Sequence, residues 1–150
     1  MKKVFVLVLL ALAGCQSAPK VTLRFFEQTS SLLPDSHVRT VVVPRVQMRI
    51  PVSPFAVLSE RDVASAELIE TAGGKVVALR FDPHGTVALD AVTTRNRGNY
   101  LVVFVNERPV AAWLVDRRLS TGQYTLEGDL SDDEARQLVD GLNLLANKRK

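Results

Sequence analysis

Two apolar runs separated by four turn-forming residues constrain this chain more than anything else in it. Tyr100 to Val105 reads YLVVFV and is apolar at every position. A strand with one wet face alternates apolar and polar residues, so an unbroken run requires cover on both faces. Val110 to Val115 (VAAWLV) is of similar apolarity, and Asn106-Glu107-Arg108-Pro109 turns the chain between them. Two strands joined by so short a connection must pair antiparallel. Any fold for this sequence therefore has to lay other elements over both sides of one hairpin.

The flanking segments supply such elements. Gln123 to Glu127 predicts a further strand with Tyr124 and Leu126 inward. Ser131-Asp132-Asp133-Glu134 is a capping box, in which the serine hydroxyl takes the N–H of Glu134 and the glutamate reaches back. Ala135, Leu138, Leu142 and Leu145 then recur at three- and four-residue spacing, predicting an amphipathic helix. Upstream, Lys75 to Phe81 alternates with Val77, Leu79 and Phe81 on one face. Asp82-Pro83 then supplies an N-cap and a proline at the first helical position. The short helix that follows is expected to bury Val87, Ala88, Ala91 and Val92, with Arg95 and Arg97 near its negative end and Gly98 closing it. From Lys75 to Gly141 the chain thus reads as a strand–helix–hairpin–strand–helix module expected to close its own core.

Earlier segments add strands. Val21 to Phe26 places Val21, Leu23 and Phe25 on one face, and Glu27 to Ser36 is a polar loop broken by Pro34. Thr40 to Val52 alternates with Val46, Met48, Ile50 and Val52 together. Pro44 and Pro51 cannot donate to a ladder, which points to an edge strand, a bulge or two shorter strands. Ser59 to Asp62 is a turn or a single helical turn, and Ala64 to Thr71 is a weakly patterned strand. Ala72-Gly73-Gly74 then predicts a hairpin turn. Gly73-Gly74-Lys75 is not a phosphate loop, because Val76 stands where Ser or Thr would hold magnesium and a strand follows. The fold class expected is α+β: a mainly antiparallel sheet with two principal helices packed on it.

The first residues are an address. Met1-Lys2-Lys3 is a short positive region, and Val4 to Leu12 (VFVLVLLAL) is nine apolar residues. A spanning helix needs about 20, so the run is read as a signal core. Leu12-Ala13-Gly14-Cys15 matches the bacterial lipobox. An ordinary secretory signal with an incidental cysteine is the alternative, and a cysteine directly after Leu-Ala-Gly argues against it. Resemblance to bacterial lipoprotein precursors implies cleavage before Cys15, a diacylglyceryl group on its thiol and a further acyl chain, of the palmitate class, on its new amine. Residues 1–14 are then signal peptide, 15–20 a lipidated tether and 21–150 a single α+β domain. Gln16, with no acidic residue beside the cysteine, resembles lipoproteins forwarded to the outer membrane.

Charge and chemistry exclude several classes. Without Lys2 and Lys3, 17 basic side chains face 16 acidic ones, too even a balance for a nucleic-acid binder. Lys148-Arg149-Lys150 is read as a solvated complement to the last helix's dipole, with contact to acidic lipid as the alternative. The one cysteine forms no internal disulfide and no thiolate metal cluster. His37 and His84 are the only histidines, and neither has a spaced carboxylate or second histidine in the sequence. No nucleophile elbow is present. No catalytic residue, metal ligand or cofactor is assigned.

A family resemblance rests on residues across the second half. It runs through Leu58-Ser59-Glu60-Arg61-Asp62-Val63-Ala64-Ser65-Ala66, Val77 to Phe81 with Gly85, and Leu89 to Thr93. It continues in Asn96-Arg97-Gly98 with Leu101 to Val105, in Pro109 to Ala112, and in Gly122 to Gly128 with Leu130, Glu134 and Ala135. In order and spacing these resemble the head subdomain of the first periplasmic region of SecD and SecDF, membrane subunits that assist bacterial protein export. The resemblance spans residues 58–145 and implies an α+β head. Trp113 departs from it, standing where the family usually has proline. Asn143-Leu144-Leu145-Ala146 replaces the usual Gly-Ala-Leu-Pro ending, and the family's proton-coupled membrane spans and full base have no counterpart in these residues.

The expectation is a lipid-anchored envelope lipoprotein with a non-catalytic, polypeptide-contacting head accessory to protein export. Its partners would be the membrane, through Cys15, and secreted polypeptides or envelope proteins, with strand addition at an exposed edge such as Val46–Ile50. A domain reusing the fold for a small ligand or a structural envelope partner is the alternative, and a hydrolase with an unrecognised site a distant third.

Overall fold

In the computed structural model, residues 20–29, 38–45 and 47–149 are described. Their elements are β1 (Leu23–Gln28), β2 (Arg39–Val43), β3 (Met48–Ser59), a 3-10 turn (Glu60–Asp62), β4 (Val63–Thr71), β5 (Gly74–Phe81), α1 (Pro83–Arg95), β6 (Tyr100–Val105), β7 (Arg108–Leu114), β8 (Gln123–Leu126) and α2 (Asp132–Asn147). The strands pair antiparallel throughout and divide between two sheets, ordered β2-β3-β1-β6-β7 and β4-β5-β8.

The apolar hairpin is covered on both faces, by different means. Leu101, Val103 and Val105 point into the main core with Leu23, Phe25, Leu58 and the inward side chains of the smaller sheet. Val102 and Phe104 point the other way, into a second core made with Val41, Val43, Ile50 and Val52. The folding-over of β2 and β3 that creates this second core is encoded in bulges. Four residues of β1 (Phe25 to Gln28) lie opposite seven of β3 (Leu58 to Val52). Extra residues bend a strand and increase its twist. The kinked stretch contains Pro54 and leaves Phe55 exposed.

The segment Thr40–Val52 therefore falls in two strands, and the first of them, β2, is the expected edge strand of the larger sheet. Where they join, Gln47, at φ 48°, donates its N–H to the Val43 carbonyl at 2.8 Å. Ile50 and Val52 are buried as expected, whereas Met48 is 42% exposed. Val46 lies outside the described residues.

The smaller sheet is joined to the larger by Phe25. Its ring meets Phe81 of β5 edge-on at 5.8 Å and Tyr124 of β8 at 5.3 Å. The Lys75–Gly141 module consequently does not close its own core, because β1 sits between β3 and β6 and fills the centre. The predicted hairpin turn at Ala72-Gly73 is present, with Thr71 facing Gly74.

α2 carries both halves of its capping box, with Glu134 N–H on Ser131 Oγ at 3.2 Å and Ser131 N–H on Glu134 at 2.8 Å. It buries Ala135, Leu138 and Leu142; Leu145 is only half-buried, and Ala146 completes the stripe. α1 matches expectation at Val92 and Ala88, which pack on the core, and differs elsewhere. Its inward face is Gly85, Leu89, Val92 and Thr93, while Val87 is 70% exposed and Ala91 faces solvent. The buried face contains a glycine and a threonine, so a stripe chosen by apolarity alone is rotated away from it. Gly85 is there because a Cβ would meet the Asp62 carbonyl oxygen at 2.8 Å. Thr93 is accommodated by donating its hydroxyl to the Leu89 carbonyl at 2.8 Å.

Candidate functional site

Each sheet leaves strands at its ends, and what covers them differs. In the smaller sheet, Phe81 N–H bonds to Gly122 C=O at 2.8 Å, which sets the parity of the ladder. Antiparallel pairs alternate between inward- and outward-directed backbone groups. Ala66 of β4 thus points outward, and the Asn143 side chain meets it on both groups, accepting its N–H and donating to its C=O, each at 2.9 Å. Arg149 donates to the Val63 carbonyl at 2.5 Å. At Val63 and Ala66 the β4 edge is met by α2 and the residues just after it.

The other edge, β8, is different. By the same alternation Gln123, Thr125 and Glu127 turn their N–H and C=O groups away from β5, and among the described residues no further strand pairs there. All three are exposed. Beyond them lies a cleft of about 390 Å³ whose opposite wall is β7, the last strand of the larger sheet. The walls meet at one end, where Asp129 N–H bonds to Val110 C=O at 2.7 Å and Arg108 bridges Asp129 and Glu134 at 3.1 and 2.9 Å. They diverge toward Trp113 and Gln123.

Trp113 and Tyr124 line the cleft with their rings 5.8 Å apart, edge to face. The Arg117 guanidinium stands 5.9 Å above the Trp113 ring, a cation–π geometry. Burial raises the Tyr124 phenol pKa, and the nearby Glu127 carboxylate adds to the rise. The loop between β7 and β8 is pinned to α1. Arg118 grips Asp90 with two nitrogens, Leu119 N–H bonds to Thr93 Oγ1 at 3.0 Å, and Gly122, at φ +70°, leaves no room for a Cβ beside Thr86.

The Asp90–Arg118 pair makes the loop acid-sensitive. Its hydrogen bond to Arg118 holds the Asp90 carboxyl below its ordinary pKa. Lys75 does the same for Asp132, and the Ser131 backbone and hydroxyl, then Arg108, do so for Glu134. A depressed folded-state pKa contributes stability that is complete above the unfolded value and lost as pH falls through the folded one. Acidification below about pH 4, the unfolded carboxylate range, is therefore expected to loosen the loop. Emission from Trp113, the one tryptophan, should shift in that range. In Arg118→Ala that acid transition should be smaller; an unaltered transition would show that the pair does not hold the loop.

The residues singled out by sequence fall elsewhere. His84 is at the start of α1, its side chain 86% exposed and its Nδ1 3.1 Å from Asp62. Asp62, Asp82 and His84 bring ligand-type atoms within 4.8 Å of one another. Both carboxylates serve as caps: Asp62 accepts the Ser59 N–H at 2.8 Å, and Asp82 accepts the Gly85 N–H at 2.8 Å. His37, the lipobox Leu12-Ala13-Gly14-Cys15 with Gln16, and Lys150 lie outside the described residues. The edge expected at Val46–Ile50 is corrected: Met48, Arg49 and Ile50 pair with Val43, Val42 and Val41, because the bulged β3 folds back with β2 beside it. The cleft was missed, although a tryptophan inside a strand followed by paired arginines was visible at Trp113, Arg117 and Arg118.

Among the described residues no helix is long and apolar enough to cross a membrane. The SecDF P1 head subdomain family matches residues 32–144. Among solved structures, a membrane component SecDF that enhances protein export is 23% identical, with a TM-score of 0.64 over 84% of this chain and 63% of that one. SecDF in a super-membrane-facing form is 23% identical, with a TM-score of 0.63 over 82% of this chain and 18% of that one. SecDF from Thermus thermophilus, a translocon-associated membrane protein, is 20% identical, with a TM-score of 0.51 over 86% and 20%. At these identities the likeness is one of fold, and the chain spans less than two thirds of each solved chain. No curated protein matches the sequence.

Proposed function

The chain belongs to the SecDF P1 head subdomain family, and on that premise we propose that it is a non-catalytic, polypeptide-contacting module accessory to protein export. The observation that carries this reading is the cleft between β7 and β8. Among the described residues it sets a strand edge with no further strand beside it next to the Trp113 and Tyr124 rings. We further propose that Cys15 is lipidated and tethers the head to a bacterial membrane, facing the periplasm or cell exterior; Gln16 favours the outer membrane.

Photo-crosslinking in cells tests the export reading. A crosslinking residue at Thr125, on the β8 edge, should trap many secreted polypeptides. One at Val87, 70% exposed on the far side of α1, should not. A single stable adduct at Thr125 would instead indicate one dedicated envelope partner. The cleft volume of about 390 Å³ also falls in the range of small-ligand pockets. Absence of any polypeptide adduct at Thr125 would leave that second reading standing.

A further inference from the structure

We propose that β8 takes up an extended polypeptide segment by strand addition, adding a fourth strand to the smaller sheet within the cleft. The inference rests on the polypeptide-contacting reading and specifies how the chain is held. It follows from an asymmetry between the sheet's two edges. At β4 the outward groups of Ala66 and Val63 are met by Asn143 and Arg149. At β8 the outward groups of Gln123, Thr125 and Glu127 face a cavity. Proteins ordinarily blunt or cover a sheet edge, because its row of donors and acceptors is a template for another strand. Here one edge is met over its first residues, and the other opens onto a cleft in which Trp113, Leu119 and Tyr124 lie among polar side chains.

The geometry also defines what fits. A strand placed beside β8 has alternate side chains directed to the core side, onto Trp113, Leu119 and Tyr124, and the remainder to solvent. The occupant is therefore an unfolded segment whose alternate side chains are small enough to lie against Trp113 and Leu119 beside the Arg117 guanidinium, and a continuously apolar one has no advantage. The Val110–Asp129 junction closes one end, so the added strand is short. From Gln123 to Glu127 it spans about 17 Å at ~3.4 Å per residue. Backbone hydrogen bonds supply the affinity and the side chains of the cleft supply the preference, the division expected of strand addition.

The test uses the full chain and a short fluorescent peptide of alternating valine and threonine with lysine ends, read by anisotropy and by Trp113 emission. Two derivatives are N-methylated, one on every valine and the other on every threonine. In an added strand only one of these sets directs its N–H groups at β8. One derivative should therefore bind at least about tenfold more weakly than the parent, each lost hydrogen bond being worth roughly 1 kcal/mol, while the other binds within about twofold. Loss of binding in both or in neither overturns strand addition. If secreted chains still crosslink at Thr125 in that case, the export reading survives without it; if they do not, both fall. Thr125→Pro is the matching protein variant. It removes one outward N–H from an edge strand, a position that tolerates proline, and should weaken the parent peptide by about fivefold, the loss of a single hydrogen bond.

Discussion

Phe25→Ala should lower the stability of this protein by about 3–5 kcal/mol, the usual cost of truncating a fully buried phenylalanine. The ring is 0% exposed and touches both halves of the molecule. Leu23 and Phe25 bring β1 into the main core, and Phe25 meets Phe81 and Tyr124 edge-on. Each such aromatic pair adds about 0.5–1.5 kcal/mol beyond burial. Domains of this kind are stable by only about 5–15 kcal/mol, so the loss removes a large share of the total. Phe26, the next residue, is the appropriate comparison. It is half-buried and packs on Phe104 at 5.0 Å in the smaller core beneath the folded β2–β3 hairpin. Denaturant titrations followed by Trp113 emission should show a clearly larger midpoint shift for Phe25→Ala than for Phe26→Ala. Equal shifts would mean that β1 does not join the two sheets, and that the segment after Lys75 holds itself together after all.

That outcome bears on how far the sequence could be read. Local chemistry was legible wherever one residue type has one dominant use. The Ser131–Glu134 capping box, the Asp82-Pro83 helix start and the Ala72-Gly73 hairpin turn all stand where their spacing put them. The unbroken apolarity of Tyr100–Val105 correctly required cover on both faces. What provides the second cover was not legible. Bulges in β3 depend on how many residues oppose Phe25–Gln28 across the sheet, and no local pattern encodes that count. The face of α1 was legible only in part: Val92 and Ala88 pack inward as expected, but tertiary contacts with Asp62 and Leu119 make Gly85 and Thr93 inward residues in place of Val87 and Ala91. The cleft is further still from local reading. It exists because β7 and β8, in different sheets, meet at Asp129 and separate at Trp113. Its elements were each predicted, but their juxtaposition is a property of the topology.

The two uncovered features of the head, an open β8 edge and an aromatic floor, also explain why a tether would matter. A short strand addition of the kind proposed forms few hydrogen bonds and buries little surface, so its intrinsic affinity is expected to be weak. Confinement to a membrane surface converts such encounters into local ones at high effective concentration. An export accessory built on this head would therefore depend on its position as much as on its cleft.

Cys15→Ser is the variant expected to remove that position outright. Lipid anchoring contributes about 0.8 kcal/mol per buried methylene, one myristoyl-length chain gives only reversible binding, and two signals are needed for stable attachment. The proposed product at Cys15 carries a diacylglyceryl group and an N-acyl chain, well beyond that threshold. Serine cannot accept the thioether-linked lipid, so the precursor should either remain uncleaved or be released as a soluble species. The expected result is a change from complete membrane association to a slower-migrating precursor or to the soluble fraction, read by fractionation and gel mobility. Labelling with a palmitate analogue should be lost in parallel. The head itself should be unaffected: purified Cys15→Ser protein should bind the valine–threonine peptide as the parent does, because the cleft is formed by residues 108–129 and their neighbours. Unchanged processing and membrane association in the variant would show that the Leu12–Cys15 motif is not a lipobox. Altered peptide binding would show that the cleft is coupled to the N-terminal residues.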